Sequence, residues 1–131
     1  MNRSQVLLIE PDGLVRSTVA SVCRELRLVT LHEVTSVAQG EKWARSGTGH
    51  GLLLSLAEGE ASLGFLTRLR AGELRLPADL PVAVMARAGD VALVSRLKEL
   101  DVRRLLLQPF RLRDVIVTLE HLCATQEVVS A

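Results

Sequence analysis

The residues of this chain able to do chemistry sit where strand-length apolar runs stop. Val6-Leu7-Leu8-Ile9 runs into Glu10-Pro11-Asp12, and Leu52-Leu53-Leu54 runs into Ser55. Val82-Ala83-Val84-Met85 ends at Ala86, and Leu105-Leu106-Leu107 ends at Gln108-Pro109-Phe110. In an open α/β sheet, ligands and reactions lie just beyond the carboxyl ends of the strands. Here those ends carry an acid pair split by a proline, a hydroxyl, a methyl group and an amide. A sheet of this kind can host a site, but most of the reactive groups are missing. The remaining candidates are weaker. His32, His50 and His121 show no ligand spacing with each other or with Cys23 and Cys123, so no metal site is expected from them. Both cysteines fall on apolar helix stripes, where the thiol acts as a small hydrophobe.

The elements that must position these residues follow from periodicity. Apolar runs alternate with helical patterns, which predicts a parallel sheet with crossover helices. Gly13 to Leu26 reads as a helix with Val15, Val19, Val22, Cys23 and Leu26 on one stripe. Leu28 to Val34 reads as an edge strand interrupted by Thr30 and His32. Thr35 or Ser36 caps a second helix that runs to about Arg45. Gly47-Thr48-Gly49-His50-Gly51 breaks the chain before the third strand. A third helix is expected from about Ala61 to Ala71, with Leu63, Leu66 and Leu69 inward and Phe65 on the flank. A connector from Leu74 to Pro81, fixed by prolines, leads to the fourth strand. Asp90 caps a helix that buries Leu93, Leu97 and Leu100. Arg103 to Leu107 forms the fifth strand. Leu112 to about Thr125 forms a last helix with Val115, Ile116, Leu119, Leu122 and Cys123 inward and Val117 exposed.

Composition narrows the function classes. The chain has 131 residues, 48 % hydrophobic and 24 % charged, which suits one globular domain with a substantial core. Aromatics are only 2 %, so stacking on bases or sugars is not an expected mode of recognition. A net charge of +1 argues against direct binding to a nucleic-acid backbone. No apolar run reaches the length of a membrane span. Met1-Asn2-Arg3-Ser4 leads into a strand and not a signal peptide, so a cytoplasmic location is expected. Five strands and five helices fill residues 1–131 as a single domain with a core of about 4–123, and no attached effector domain is expected.

The ordered set of runs resembles a response-regulator receiver domain, the CheY-like module of two-component signalling, over roughly residues 4 to 123. Its carriers are Val6 to Asp12 with Val15-Arg16, the apolar strand into Ser55, Leu80 to Ala86, and Leu105 to Phe110. The resemblance implies a doubly wound, flavodoxin-like α/β sheet of five parallel strands in the order 2-1-3-4-5. It also implies a reaction, in which an aspartate ending the third strand accepts a phosphoryl group from a histidine kinase. Two acids after the first strand and that aspartate would hold Mg²⁺. A Thr or Ser after the fourth strand and a Lys after the fifth would contact the phosphoryl oxygens.

This sequence departs from that pattern at nearly every position. Glu10 keeps the first acid with a longer side chain, and Pro11 replaces the second, the usual direct metal ligand. Asp12 substitutes for it only if the loop moves. Ser55 stands at the phosphoacceptor position, so an acyl phosphate cannot form there. Ala86 cannot hydrogen-bond a phosphoryl oxygen, and Gln108 lacks the cation that would offset one. The fifth strand has Leu105 and no aromatic switch residue, and the loop after the third strand is a residue short and lacks its usual proline. Gln108-Pro109 is expected to be cis, as the resemblance implies.

These departures point to a pseudo-receiver, not an enzyme, that holds no cofactor or Mg²⁺ and works by contact with a kinase, effector or other regulator. A second copy of the chain is another occupant for the same surface. The expected face comprises the fourth helix, fifth strand and fifth helix, where Arg96, Arg103, Arg104, Arg111 and Arg113 give a basic excess suited to an acidic partner. The OmpR-type dimer is not supported, because Arg103 or Arg104 and Thr118 stand where it needs an acid and a base. Two other readings stay open. One is a receiver phosphorylated at a displaced acid, Asp12 or Glu10. The other is a flavodoxin-like small-molecule binder, although the glycine cluster precedes a strand instead of following one.

Overall fold

The computed structural model describes residues 4–27 and 29–130, with side chains described as far as Cys123. Strands β1 (Gln5–Ile9), β2 (Thr30–Val34), β3 (Gly51–Ser55), β4 (Val82–Ala86) and β5 (Arg104–Leu107) form one sheet in the order β2-β1-β3-β4-β5. All four pairings are parallel, with Ile9 beside Leu54 and Ser55 beside Met85 at the carboxyl ends. Helices α1 (Gly13–Leu26), α2 (Val37–Ala44), α3 (Glu60–Arg70) and α4 (Val91–Glu99) form the four crossovers, and α5 (Leu112–Ser130) follows the last strand.

The pleat divides the apolar runs between two cores. Val6, Leu8, Leu53, Ala83, Met85 and Leu106 pack with Val19, Val22 and Cys23 of α1 and with Val115, Leu119 and Leu122 of α5. Leu7, Ile9, Leu52, Leu54, Val82 and Val84 face the other way, onto α2, α3 and α4. Strands buried on both faces read as continuous apolar runs, which is why β1, β3 and β4 were so plain in the sequence. Gly40 lets α2 come close to β1, since a Cβ there would stand 2.5 Å from Ile9 Cδ1. Asp12, Ser36 and Asp90 cap α1, α2 and α4 through side-chain oxygens, so Ser36 takes the role that Thr35 could also have filled.

Several expectations are corrected. Phe65 is fully buried, not on the flank, because α3 buries an arc that also takes in Ser62, Leu63, Leu66 and Leu69. Leu26 is 47 % exposed, since the last turn of α1 borders an open groove shared with Leu112 and Ile116. Val117 is half-buried, because α5 touches β3, β4 and β5 as well as α1. Leu93 and Leu100 are only half-buried beside the buried Leu97. Helix α5 continues beyond Thr125 to Ser130. Strand β2 starts at Thr30; Leu28 lies outside the described residues. Arg103 precedes β5, although its amide still donates to the Val82 carbonyl.

Candidate functional site

The carboxyl ends of β1, β3, β4 and β5 open into a cleft of about 590 Å³. Glu10, Asp12, Ser55, Ala86 and Gln108 all line it, together with Gly59, Leu63, Arg87 and Leu93. Pro11 and Pro109 are both exposed, and neither borders the cleft. The Gln108-Pro109 peptide is cis, as expected.

Glu10 follows the last residue of β1 and is only 1 % exposed. Its main-chain amide donates to the Val34 carbonyl at 3.2 Å, which fixes its place in the sheet. Its Oε2 accepts a hydrogen bond from the Asp12 amide at 3.1 Å, whereas its buried Oε1 has no partner. Burial pushes this carboxyl above its ordinary range. The Asp12 amide, the Ser55 hydroxyl and the Arg16 charge pull it down, and the Asp12 charge adds to the rise. Arg16 does not neutralise the carboxyl directly. Its Nη1 donates to the Glu10 carbonyl at 2.8 Å, and its Nε approaches Glu33 at 3.9 Å.

Asp12 is committed to helix α1. Its Oδ1 accepts from the amides of Leu14 at 2.9 Å and Val15 at 3.4 Å. Ser55, 3 % exposed, accepts from the Ala57 amide at 3.1 Å and so braces the turn after β3. Ala86 presents a nearly buried methyl group. The Gln108 amide nitrogen of the main chain donates to the Ala86 carbonyl at 2.9 Å, while its side chain borders the cleft. Gly59 begins α3 with φ 61°, a conformation that glycine adopts without steric penalty.

This donor set does not fit Mg²⁺. That ion needs a near-octahedral shell of hard oxygens and is usually anchored by one or two carboxylates. Asp12 Oδ1 already serves two amides, Pro11 offers no side-chain oxygen, and Ser55 offers a neutral hydroxyl. Among the described residues no group of three or more His, Cys, Asp or Glu is placed to hold a metal ion.

Arg87 is the cleft residue that sequence reasoning missed. It is exposed and lines the cleft directly after Ala86. Its position one residue past the end of β4 was the available signal.

The arginines expected to form one face are divided by the structure. Arg96 turns toward Glu60 of α3, 3.4 Å away. Arg103 donates from Nη1 to the His121 carbonyl at 3.4 Å. Arg104 is half-buried, and its Nε is sealed from water without a hydrogen-bond partner. Arg111 and Arg113 are exposed at the start of α5. Exposed Val91, Leu107 and Leu112 add apolar surface to these elements. No helix among the described residues is long and apolar enough to cross a membrane.

No family model and no curated protein matches this sequence. Solved structures do match. A response regulator from Thermotoga maritima is 19 % identical with a TM-score of 0.75, covering 98 % of this chain and 99 % of its own. The receiver domain of the Francisella response regulator 1452 is 13 % identical with a TM-score of 0.80, over 95 % and 99 %. The non-phosphorylated HemR receiver domain from Leptospira biflexa is 17 % identical with a TM-score of 0.80, over 92 % and 94 %. With its strand order, four crossover helices and closing helix α5, the chain therefore has the CheY-like fold of response-regulator receiver domains.

Proposed function

We propose that this chain is a pseudo-receiver of two-component or phosphorelay signalling that binds a partner protein without being phosphorylated. One observation carries the reading: Ser55 ends β3 where a receiver would present its aspartate, and its Oγ accepts from the Ala57 amide. An acyl phosphate needs a carboxylate nucleophile, and a serine hydroxyl cannot form one. Pro11, Ala86 and Gln108 point the same way, since none supplies a metal ligand, a hydroxyl or a cation. The domain in this reading is not an enzyme, takes no Mg²⁺ and acts in the cytoplasm. It contacts neither nucleic acid nor membrane directly.

The docking surface is the side of α4, β5 and α5 that carries exposed Arg111 and Arg113, with Arg103 and Arg104 at its margin. Its partner is an acidic surface of a kinase, effector or regulator. Two measurements test this. Incubation with acetyl phosphate and Mg²⁺, or with a histidine kinase, is expected to leave the protein unlabelled. Label on Asp12 or Glu10 would establish the displaced-acid receiver instead. Charge reversal at Arg103, Arg104, Arg111 and Arg113 is expected to abolish capture of the partner from the source cell; undiminished capture places the surface elsewhere.

A further inference from the structure

At the end of the sheet opposite the cleft, Gln5 opens β1 between two histidines. Its main-chain amide donates to Nδ1 of His50 at 2.8 Å, and its carbonyl accepts from the His50 amide at 2.7 Å. Its side-chain Oε1 lies 3.0 Å from Nε2 of His32 on β2. Regular pairing of β1 with β3 begins one residue later, at Val6 beside Gly51. The His50 ring therefore closes the ladder where a strand carbonyl would otherwise accept. Gly49 lets this turn lie close to Trp43, since a Cβ there would stand 3.2 Å from the indole.

The two histidines make opposite demands on the proton. A main-chain amide only donates, so Nδ1 of His50 accepts and the ring is neutral with its proton on Nε2. A second proton would go onto Nδ1, set two donors face to face and remove the bond. His32 faces an oxygen acceptor, so its Nε2 donates from the neutral and the charged ring alike. Its ring centroid also lies 5.0 Å from that of Trp43, a spacing at which an aromatic ring attracts a cation. Imidazole is the side chain that changes charge near neutral pH, and His50 is exposed, so a proton reaches it without unfolding. A cavity of about 270 Å³ is shared by His50, Asp79, Arg103 and Leu122. The charged groups beside the ring are thus Asp79 and Arg103, one of each sign, with His32 across Gln5.

We propose that His50 and Gln5 form a proton-released catch, which joins β1 to the turn entering β3 while the imidazole is neutral and lets go when it is charged. The bond contributes on the alkaline side and is lost as the pH falls. His32 keeps its hold on Gln5 in both conditions, so β1 stays paired with β2 while its first residue parts from the turn. Arg103, at the margin of the docking surface, borders the same cavity and gains a positive neighbour when the catch opens. The catch goes beyond the docking reading and does not depend on it, since it is measured on the isolated chain.

The test is nuclear magnetic resonance of the imidazole and amide nitrogens in the isotope-labelled chain, from about pH 8 to about pH 5. At the alkaline end His50 is expected to carry its proton on Nε2 and none on Nδ1. As Nδ1 gains its proton, solvent exchange of the Gln5 amide, relative to its intrinsic rate at each pH, should rise about fivefold. The buried Leu8 amide serves as the unchanged control. His50→Asn supplies an acceptor oxygen that does not titrate and should keep Gln5 protected throughout. His50→Ala should leave Gln5 equally unprotected at both ends, and His32→Gln should keep the parent profile. Three results overturn the proposal. They are a proton on Nδ1 at the alkaline end, Gln5 exchange that does not follow His50, or a pH dependence that survives in His50→Asn. The asparagine variant decides the matter even if His50→Ala loses its native spectrum.

Discussion

Glu10 and Arg70 are both ionisable side chains drawn into the protein, at opposite ends of the sheet. Arg70 closes α3 and reaches under the amino ends of β4 and β5. Its Nε donates to Leu100 at 2.7 Å, Nη1 to Ala78 and Leu80 at 2.8 Å each, and Nη2 to Asp101 at 3.2 Å. Its burial lowers the guanidinium below its ordinary value, with Asp101 and Asp79 opposing that shift and Arg103 adding to it. Glu10, beyond the carboxyl end of β1, has one oxygen bonded and one with no partner. The planar fork of Arg70 fastens the chain; the orphan oxygen of Glu10 fastens nothing. Buried polar groups without partners are exceptions in folded proteins, and Glu10 Oε1 is one of three such side-chain atoms among the described residues, with Ser62 Oγ and Arg104 Nε.

The largest effect expected is at Arg70. Arg70→Ala strands four carbonyls and should lower stability by roughly 3 kcal/mol, read as a shift of the urea midpoint. A loss below about 0.5 kcal/mol would show that water satisfies those carbonyls equally well and would dissolve the comparison.

Glu10→Gln should act in the opposite direction and raise stability by about 1–2 kcal/mol near neutral pH. The sign follows from proton linkage. The folded carboxyl holds its proton more tightly than the unfolded one at 4.5, so folding is favoured most below 4.5. That contribution is lost as pH rises through the elevated folded value. The gain from glutamine should therefore shrink as the pH falls toward 4.5, and denaturation curves at acid and neutral pH will show it. An equal gain at both would mean that ionisation of Glu10 plays no part.

The smallest effect is at Asp12, a cleft residue with a structural role. Asp12→Ala should cost about 1 kcal/mol through loss of the α1 cap. Hydrogen exchange should rise at the Leu14 and Val15 amides. Unchanged exchange there would return Asp12 to the list of free cleft acids.

The sheet and the bounds of α1 were legible in the residues, because β1, β3 and β4 are apolar on both faces and α1 carries one apolar stripe, while the strand order came with the resemblance to receiver domains. Periodicity served less well where a helix meets more than one neighbour. Phe65 and Val117 are buried or half-buried by contacts that a single stripe does not anticipate, and Leu26 is exposed by the end of its helix. Within the cleft, the substituted positions were found because each terminates an apolar run. Arg87 was not, since it stands one residue past Ala86, where the fourth run stops. The role of Arg70 was equally hidden, because its four acceptors lie 8 to 31 residues away along the chain.

The margins of the sheet restrict how anything can join it. β2 and β5, the outermost strands, are five and four residues long, with the ionisable Glu33 and Arg104 within them. Short outer ribbons bearing charges are poor templates for an incoming backbone. Lengthening the sheet by strand addition is therefore disfavoured, and the helices and loops offer the better surface for an associate.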